Sequence, residues 1–437
     1  METDNLVRPR IYLADEHDID FEQIDRDALY VIERLQDAGF VAYLVGGGVR
    51  DLLVKKKPKD FDVSTSAKPE EIKHLFRKSC LLIGKRFRLA HVRFGKKIIE
   101  VSTFRSGESA GNLIVRDNEW GSPEEDALRR DFTINGLFYD PTEHHVIDYI
   151  GGWDDIHQHT LRTIGDPIVR FRQDPVRMIR LLKFQARFGF HIEEEAAKAV
   201  EHCYAEIAKS APARVLEEIF RMLESGAAEA FFRLLHQHRM LELLFPWLAR
   251  FLDTPRGEDL YQLLAAADKI HQDPDGNSTI DRAILTACLH YPILSNQLHT
   301  KYIERDIVPH IGDVSTTAAG LAREISGSSF SEFPKRLRVL THFILALQYR
   351  LTPVNQPVQI RPKITQHPDF PLALQFLQLR AMGDASLRPT YEEWATTADE
   401  HEPCLRSEDI RESHGAPRQP QRRRPRGPRR RPNAHGH

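Results

Sequence analysis

Two aspartates one residue apart, Asp60 and Asp62, follow the triple glycine Gly46-Gly47-Gly48 and the pair Arg50-Asp51 within the run L-V-G-G-G-V-R-D-L-L-V-K-K-K-P-K-D-F-D-V-S-T at residues 44–65. On an extended strand, side chains at i and i+2 share a face, which predicts the two carboxylates side by side with about 6–7 Å between their backbones. Adjacent anions repel, and a divalent cation between them relieves the repulsion. Magnesium takes such hard oxygen ligands and completes its shell with water and phosphate oxygens. The glycines admit backbone N–H groups close to a triphosphate with no Cβ in the way, and Arg50 adds a fork of donors. Asp51 either orients Arg50 or caps the helix that begins near Leu52. Alone, a D-x-D pair is usually a solvated loop and a triple glycine usually a turn. Together at this spacing they point to metal-assisted nucleotidyl transfer, with two metal ions on Asp60 and Asp62 activating a hydroxyl and neutralising the α-phosphate and the leaving pyrophosphate.

Later segments add compatible groups. In R-R-D-F-T-I-N-G-L at 129–137, Arg129 and Arg130 suit triphosphate or RNA phosphate, and Asp131 suits a ribose hydroxyl or the metal site. Glu100 alternates with Ile98 and Ser102 on one face of I-I-E-V-S-T-F-R at 98–105, so it is a third carboxylate beside Asp60 and Asp62 or an exposed strand residue. Asp174, Arg177 and Arg180 in Q-D-P-V-R-M-I-R at 173–180 recur three apart, along one side of a helix.

These four segments, in this order and spacing between Leu44 and about Phe190, are similar to the signature of the class II polymerase-β-like nucleotidyltransferases, the tRNA nucleotidyltransferase/poly(A) polymerase family. The resemblance implies an α/β nucleotidyltransferase head built on a small mixed β-sheet with helices, an all-α neck and body, and a disordered basic tail. It implies that Asp174 and Arg177 read the Watson–Crick edge of the incoming base: a carboxylate accepts from an amino group and a guanidinium donates to a ring nitrogen. Gln173 departs from the usual Glu, keeping an acceptor but losing the charge. The segment Gly84–Val92 resembles a feature of bacterial poly(A) polymerases. On that branch the implied activity is template-independent addition of AMP from ATP to RNA 3′ ends, with RNA turnover and RNA-degradation machinery as its context. The alternatives are CCA addition to tRNA and, more distantly, a non-catalytic RNA-binding protein.

The C-terminus supports the first branch. The chain has 61 Lys+Arg against 63 Asp+Glu, but residues 411–437 hold nine Arg and one Glu, leaving 52 against 62 elsewhere, a formal −10. The near-neutral total conceals an acidic body with a basic appendage. Arg422, Arg423, Arg424, Arg426, Arg429, Arg430 and Arg431 alternate with proline and glycine; such a composition buries no core and is expected to be disordered, engaging RNA backbone charge without regard to sequence.

The remaining bounds are broad. A length of 437 residues allows two to four domains. Cys80, Cys203, Cys288 and Cys404 are far apart and form no C-x-x-C pair, so neither a zinc site nor a disulfide framework is expected. With neither a secretory apolar core at the N-terminus nor an apolar run of spanning length, a cytoplasmic location is expected; oligomeric state is not legible. The expected organisation is a polar leader (1–20), a catalytic head (21–155), a neck (156–208), a helical body (209–350), a C-terminal helical segment (351–410) and the tail (411–437). Within the head, helices are expected over Phe21–Ala38, Val49–Val54, Pro69–Phe76 and Asp126–Asn135, and strands over Val41–Val45, Asp60–Val63, Leu81–Ile83, Ala90–Phe94, Ile98–Phe104 and Val146–Tyr149. Beyond Tyr149 no strand signal stands out, and Gly257–Asp259 is expected to be a loop. Phe231, Phe232 and Trp247 are expected in the core.

Overall fold

In the computed structural model, residues 8–84, 89–106, 120–273, 279–326, 330, 332–353 and 358–400 are described. The Arg/Pro tail, the basic part of Gly84–Val92 and most of the loop after Arg105 lie outside them.

The head is built on strands β1 (Arg10–Tyr12), β2 (Ala42–Val45), β3 (Asp62–Thr65), β4 (Cys80–Ile83), β5 (Leu89–Phe94), β6 (Lys97–Thr103), β7 (Phe138–Asp140) and β8 (His145–Asp148), in the order β1-β8-β7-β2-β3-β6-β5-β4. β3 and β6 run parallel at the centre, and the other pairings are antiparallel. Helices α1 (Arg26–Asp37) and α3 (Pro69–Phe76) cover one face, α2 (Gly47–Leu53) adds Val49 and Leu52 to the same core, and α4 (Pro123–Leu128) lies toward the other face. α1 forms because Asp25 caps its first turn and Ala28, Val31, Ile32 and Leu35 fall on one buried stripe; Gly39, at φ +84°, ends it. The covered face buries Val63, Val101, Ala90 and Val92, and their neighbours in sequence therefore point the other way. That alternation places Asp62 and Glu100 on the open face.

Several expectations shift. The polar leader contains β1, an edge strand paired to β8 through backbone hydrogen bonds. Asp60 precedes β3 rather than sitting on it, so the shared-strand-face argument for the aspartate pair does not hold; Phe61 turns inward between them. The helix expected over Asp126–Asn135 stops at Leu128, and a short 3-10 turn follows at Thr133–Asn135. Gly257 is followed at once by a helix beginning at Glu258. A two-residue parallel pair, β9 (Thr160–Leu161) with β10 (His191–Ile192), lies beyond Tyr149.

After α5 (Gly152–His157), the neck comprises α6 (Pro167–Gln173), α7 (Val176–Phe188) and α8 (Glu194–Cys203). The body follows with α9 (Pro212–Leu223), α10 (Ala228–Gln237) and further helices to Leu351. One continuous apolar core runs from α1 through these helices and includes Phe231, Phe232 and Trp247. A smaller core (Leu347, Leu351, Phe370, Ala373, Leu377, Trp394) holds the last helices, where Trp394 Nε1 donates to Leu351 O at 3.2 Å. Cys80, Cys203 and Cys288 are buried free thiols.

Candidate active site

The register of the sheet draws a line of functional groups across its open face. Asp62 on β3 pairs with Glu100 on β6, Glu100 with His91 on β5, and His91 with Leu81 on β4. Cross-strand partners share a face at a strand spacing of about 4.8 Å, so the Asp62 and Glu100 carboxylates adjoin. Behind them Ser64 and Ser102 hydroxyls are 2.8 Å apart. Asp62 opens onto a cleft whose walls enclose its carboxyl. Burial first, then Glu100 and Asp60, push its pKa from 3.8 up to about 6, opposed by Arg130 and Arg221. His91 Nε2 lies 3.4 Å from Glu100.

The glycine turn forms the adjoining wall. Gly46 takes φ +67° and ψ −127°, a conformation side chains resist, and Gly47 and Gly48 form the first turn of α2. A Cβ on Gly46 would lie 3.1 Å from Arg130 Nη1, so the turn and that guanidinium are closely fitted. Arg50 is not a free fork aimed at phosphate. Its Nε and Nη2 donate to Asp51 Oδ1 at 2.9 and 2.7 Å and its Nη1 to Asn135 Oδ1 at 2.6 Å. The guanidinium also lies 4.7 and 4.8 Å from the centres of the Phe184 and Phe188 rings of α7. Asp51 therefore orients Arg50, and it also receives Arg187 Nη2 at 2.7 Å.

Asp126 holds both arginines that follow its helix. It is buried, and it accepts from Arg129 Nε at 2.9 Å and from Arg130 Nη2 at 2.8 Å. Burial alone would raise its carboxyl, but Arg130 and Arg129 outweigh that and hold it low. Asp131 is also committed: Oδ1 accepts from Phe132 N and Asn135 Nδ2, both at 2.9 Å, and Oδ2 pairs with Arg180 at 2.9 Å. Burial opposes its charge, but Arg180, the hydrogen bonds from Asn135 and Phe132 N, and Arg177 together outweigh it, so its pKa is lowered. The structure thus places Glu100, rather than Asp131, in register with Asp62.

Asp174 lies outside the helix on which its i+3 spacing to Arg177 was argued. It caps the C-terminus of α6 in extended backbone, just before Pro175 and α7, and pairs with Arg214 of α9 at 2.9 Å. Arg177 is buried, with Nη1 donating to Arg170 O at 3.1 Å. The Oε1 of Gln173 is buried without a hydrogen-bond partner among the described residues.

The glycine turn, Arg50, Asp51, Asp60, Asp62, Glu100, Arg129, Arg130, Asp131, Asp174, Arg177 and Arg180 line one cleft of ≈ 910 Å³ between the open sheet face, α7 and α9. Residue profiles for the poly A polymerase head domain, the probable RNA and SrmB-binding site of polymerase A, and the polymerase A arginine-rich C-terminus match residues 42–162, 189–252 and 325–431. Poly(A) polymerase I of Escherichia coli O6:H1 is 38% identical over 396 residues, covering 86% of this chain and 83% of that protein. The chain belongs to the tRNA nucleotidyltransferase/poly(A) polymerase family. A CCA-adding enzyme of Lactobacillus helveticus is 38% identical over 197 residues, 45% of this chain and 49% of that protein. The crystal structure of the Bacillus stearothermophilus CCA-adding enzyme in complex with CTP shares the fold, with a TM-score of 0.59 at 24% identity over 90% of this chain and 89% of that one. The protein is accordingly an RNA nucleotidyltransferase.

As a member of this family, the chain also contributes cleft residues that sequence reasoning passed over: Lys59, Lys183, Arg187, Glu217, Arg221 and Arg282. One signal was available, since Arg180, Lys183 and Arg187 fall on one stripe of α7. The others come together only through the fold. Lys183 Nζ donates to Glu218 at 2.6 Å, and its burial lowers its pKa. Arg282 is held by Glu217 and Glu224 and lies 4.8 Å from the Phe220 ring centre. Lys59, beside Asp60, donates to Glu224 O at 3.1 Å, tying the aspartate loop to the end of α9.

The donor set fits a hard divalent cation. Asp60, Asp62 and Glu100 line the cleft, and the raised pKa of Asp62, due to burial first, also carries the repulsion of Glu100 and Asp60, which a cation would relieve. Among the described residues no three His, Cys, Asp or Glu side chains are grouped closely enough to hold a metal ion together. A magnesium ion held by one or two carboxylates would fill the rest of its shell with water and substrate oxygens.

Proposed function

We propose that the protein adds AMP from ATP to RNA 3′ ends and releases pyrophosphate. The observation that carries this over CCA addition is extent. The likeness to poly(A) polymerase I runs over 86% of the chain and the arginine-rich C-terminal profile reaches residue 431, whereas the likeness to the L. helveticus CCA-adding enzyme takes in 45%.

In the reaction, the RNA 3′-hydroxyl oxygen forms a bond to the α-phosphorus of ATP, and the bond from that phosphorus to the bridging oxygen of pyrophosphate breaks. Asp60 and Asp62, with Glu100 adjoining, are the residues to hold magnesium, which when bound promotes ionisation of the hydroxyl and neutralises the phosphates. The Gly46–Gly48 turn offers backbone N–H groups to the triphosphate, and Arg129 and Arg130 add positive charge beside it. Arg50 acts through shape, bracing the turn against α7. Asp174 and Arg177 are assigned the base edge, where a carboxylate and a guanidinium distinguish adenine's amino group and ring nitrogen without a template. A role in RNA turnover, beside degradation machinery, follows from that activity. Among the described residues no helix is long and apolar enough to cross a membrane.

The test is incubation with an unstructured RNA and each nucleoside triphosphate singly. Long products with ATP alone support the proposal. Three-residue products on tRNA that require both CTP and ATP replace it with CCA addition. If no nucleotide is incorporated in a metal-dependent way on any RNA, a non-catalytic binder is left.

A further inference from the structure

The line of carboxylates runs into an apolar strip that no step above uses. On β4, Leu81 and Ile83 are 51% and 41% exposed, and Ile98 on β6 is 47% exposed. Leu81 is in register with His91, and Ile83 with Leu89. Ile98 is two residues from Glu100 on the same face and in register with Arg93. All therefore belong to the face that bears Asp62 and Glu100, and Leu89 and Ile98 line the same cleft. Arg93 is exposed on the same face. Exposed aliphatic side chains along an edge strand invite unwanted pairing and are retained where they bind something.

We propose that this strip is the seat of the last nucleotides of the RNA acceptor, resting on the reading of the protein as an RNA 3′-end nucleotidyltransferase. The face spans three strands, roughly 10 Å, by about 14 Å along them, enough for two bases. Bases of a single-stranded end lie flat on apolar groups. Arg93 stands at the outer margin to meet a backbone phosphate, while Glu100 and Asp62 stand at the inner margin, where the terminal hydroxyl must arrive. The strip continues directly into the cleft, which is why its occupant is RNA rather than a protein.

The test pairs a variant with a modified RNA. Leu81→Thr/Ile83→Thr keeps β-propensity at exposed positions, so folding is preserved, and a matching thermal melt checks it. The KM for a single-stranded RNA should rise about five- to tenfold while the KM for ATP holds. An RNA lacking its last two bases should show the same rise with the unaltered protein and no further rise with the variant. Separately, RNA carrying 4-thiouridine at its 3′ end should crosslink to residues 81–83 or 89–98 without ATP. An unchanged KM for RNA, or crosslinks confined to α7 and α9, overturns the proposal and leaves the strip to a protein partner. Because the crosslink needs no catalysis, a protein that incorporates no nucleotide yet crosslinks here disproves the AMP-transfer reading and not the strip.

Discussion

Asp51 joins two elements at once, its Oδ2 receiving Arg187 Nη2 at 2.7 Å while its Oδ1 holds Arg50. The glycine turn at the start of α2 is thereby tied to the end of α7, joining two walls of the cleft. Asp51→Asn keeps an acceptor but strips the charge from a buried site that serves two guanidinium groups. We expect a loss of about 3 kcal/mol, read from urea unfolding, because two cations lose their counter-ion. In a double-mutant cycle Arg187→Met should show coupling to Asp51 of about 1–3 kcal/mol. Strictly additive effects would show that the two walls are held by packing alone.

The carboxylates on the open face make the sharper chemical prediction. Asp60→Ala and Asp62→Ala should each lower the rate of nucleotide incorporation by about 10³-fold or more while RNA affinity, measured by filter binding, changes little. Glu100→Gln should fall between these and the unaltered protein if it supports Asp62 from the next strand. Near-normal rates in either aspartate variant would remove the metal assignment.

Acidity gives an independent handle on Asp62. Its carboxyl is pushed from 3.8 up to about 6, by burial first and Glu100 second. A carboxyl with a raised pKa binds its proton more tightly when folded, so stability falls as pH rises between these values and stays reduced above them. In chelator, Asp62→Asn should therefore melt higher than the unaltered protein near neutral pH, and the gap should close as pH falls through 6 toward 3.8. Magnesium should raise the melting temperature of the unaltered protein near neutral pH and leave the variant much less affected. Equal responses in both would place the cation elsewhere.

Local patterns made the centre of the head legible and left its edges and far wall hidden. β5 and β6 announce themselves as β-rich runs around Gly95, and α1 carries its cap and stripe in sequence. β1 was invisible because an edge strand is held by backbone pairing to β8, which asks little of its side chains. The early end of α4 was invisible because Asp126 meets Arg129 and Arg130 at the i,i+3 and i,i+4 spacings that a continuing helix would also give. Glu100 was legible as a strand residue, but only the parallel β3–β6 register sets it beside Asp62. Arg282 reaches the cleft from far along the chain, a closeness that no local spacing encodes.

The basic tail, residues 411–437, lies outside the described residues, so its contribution is argued from charge. Nine arginines and one glutamate make it strongly cationic beside a body of formal charge −10. Binding of a polycation to single-stranded RNA releases counter-ions, and the logarithm of affinity falls with the logarithm of salt by about 0.7 per neutralised phosphate. Deleting residues 411–437 should lower that slope by up to about 6 if all nine arginines engage. Affinity should drop most at low salt and least at high salt, where screening has already silenced the tail. The KM for ATP should not move, because the nucleotide pocket is built by the head and neck. A slope unchanged by the deletion would show that the folded cleft, with Arg129, Arg130 and Arg221, captures RNA unaided.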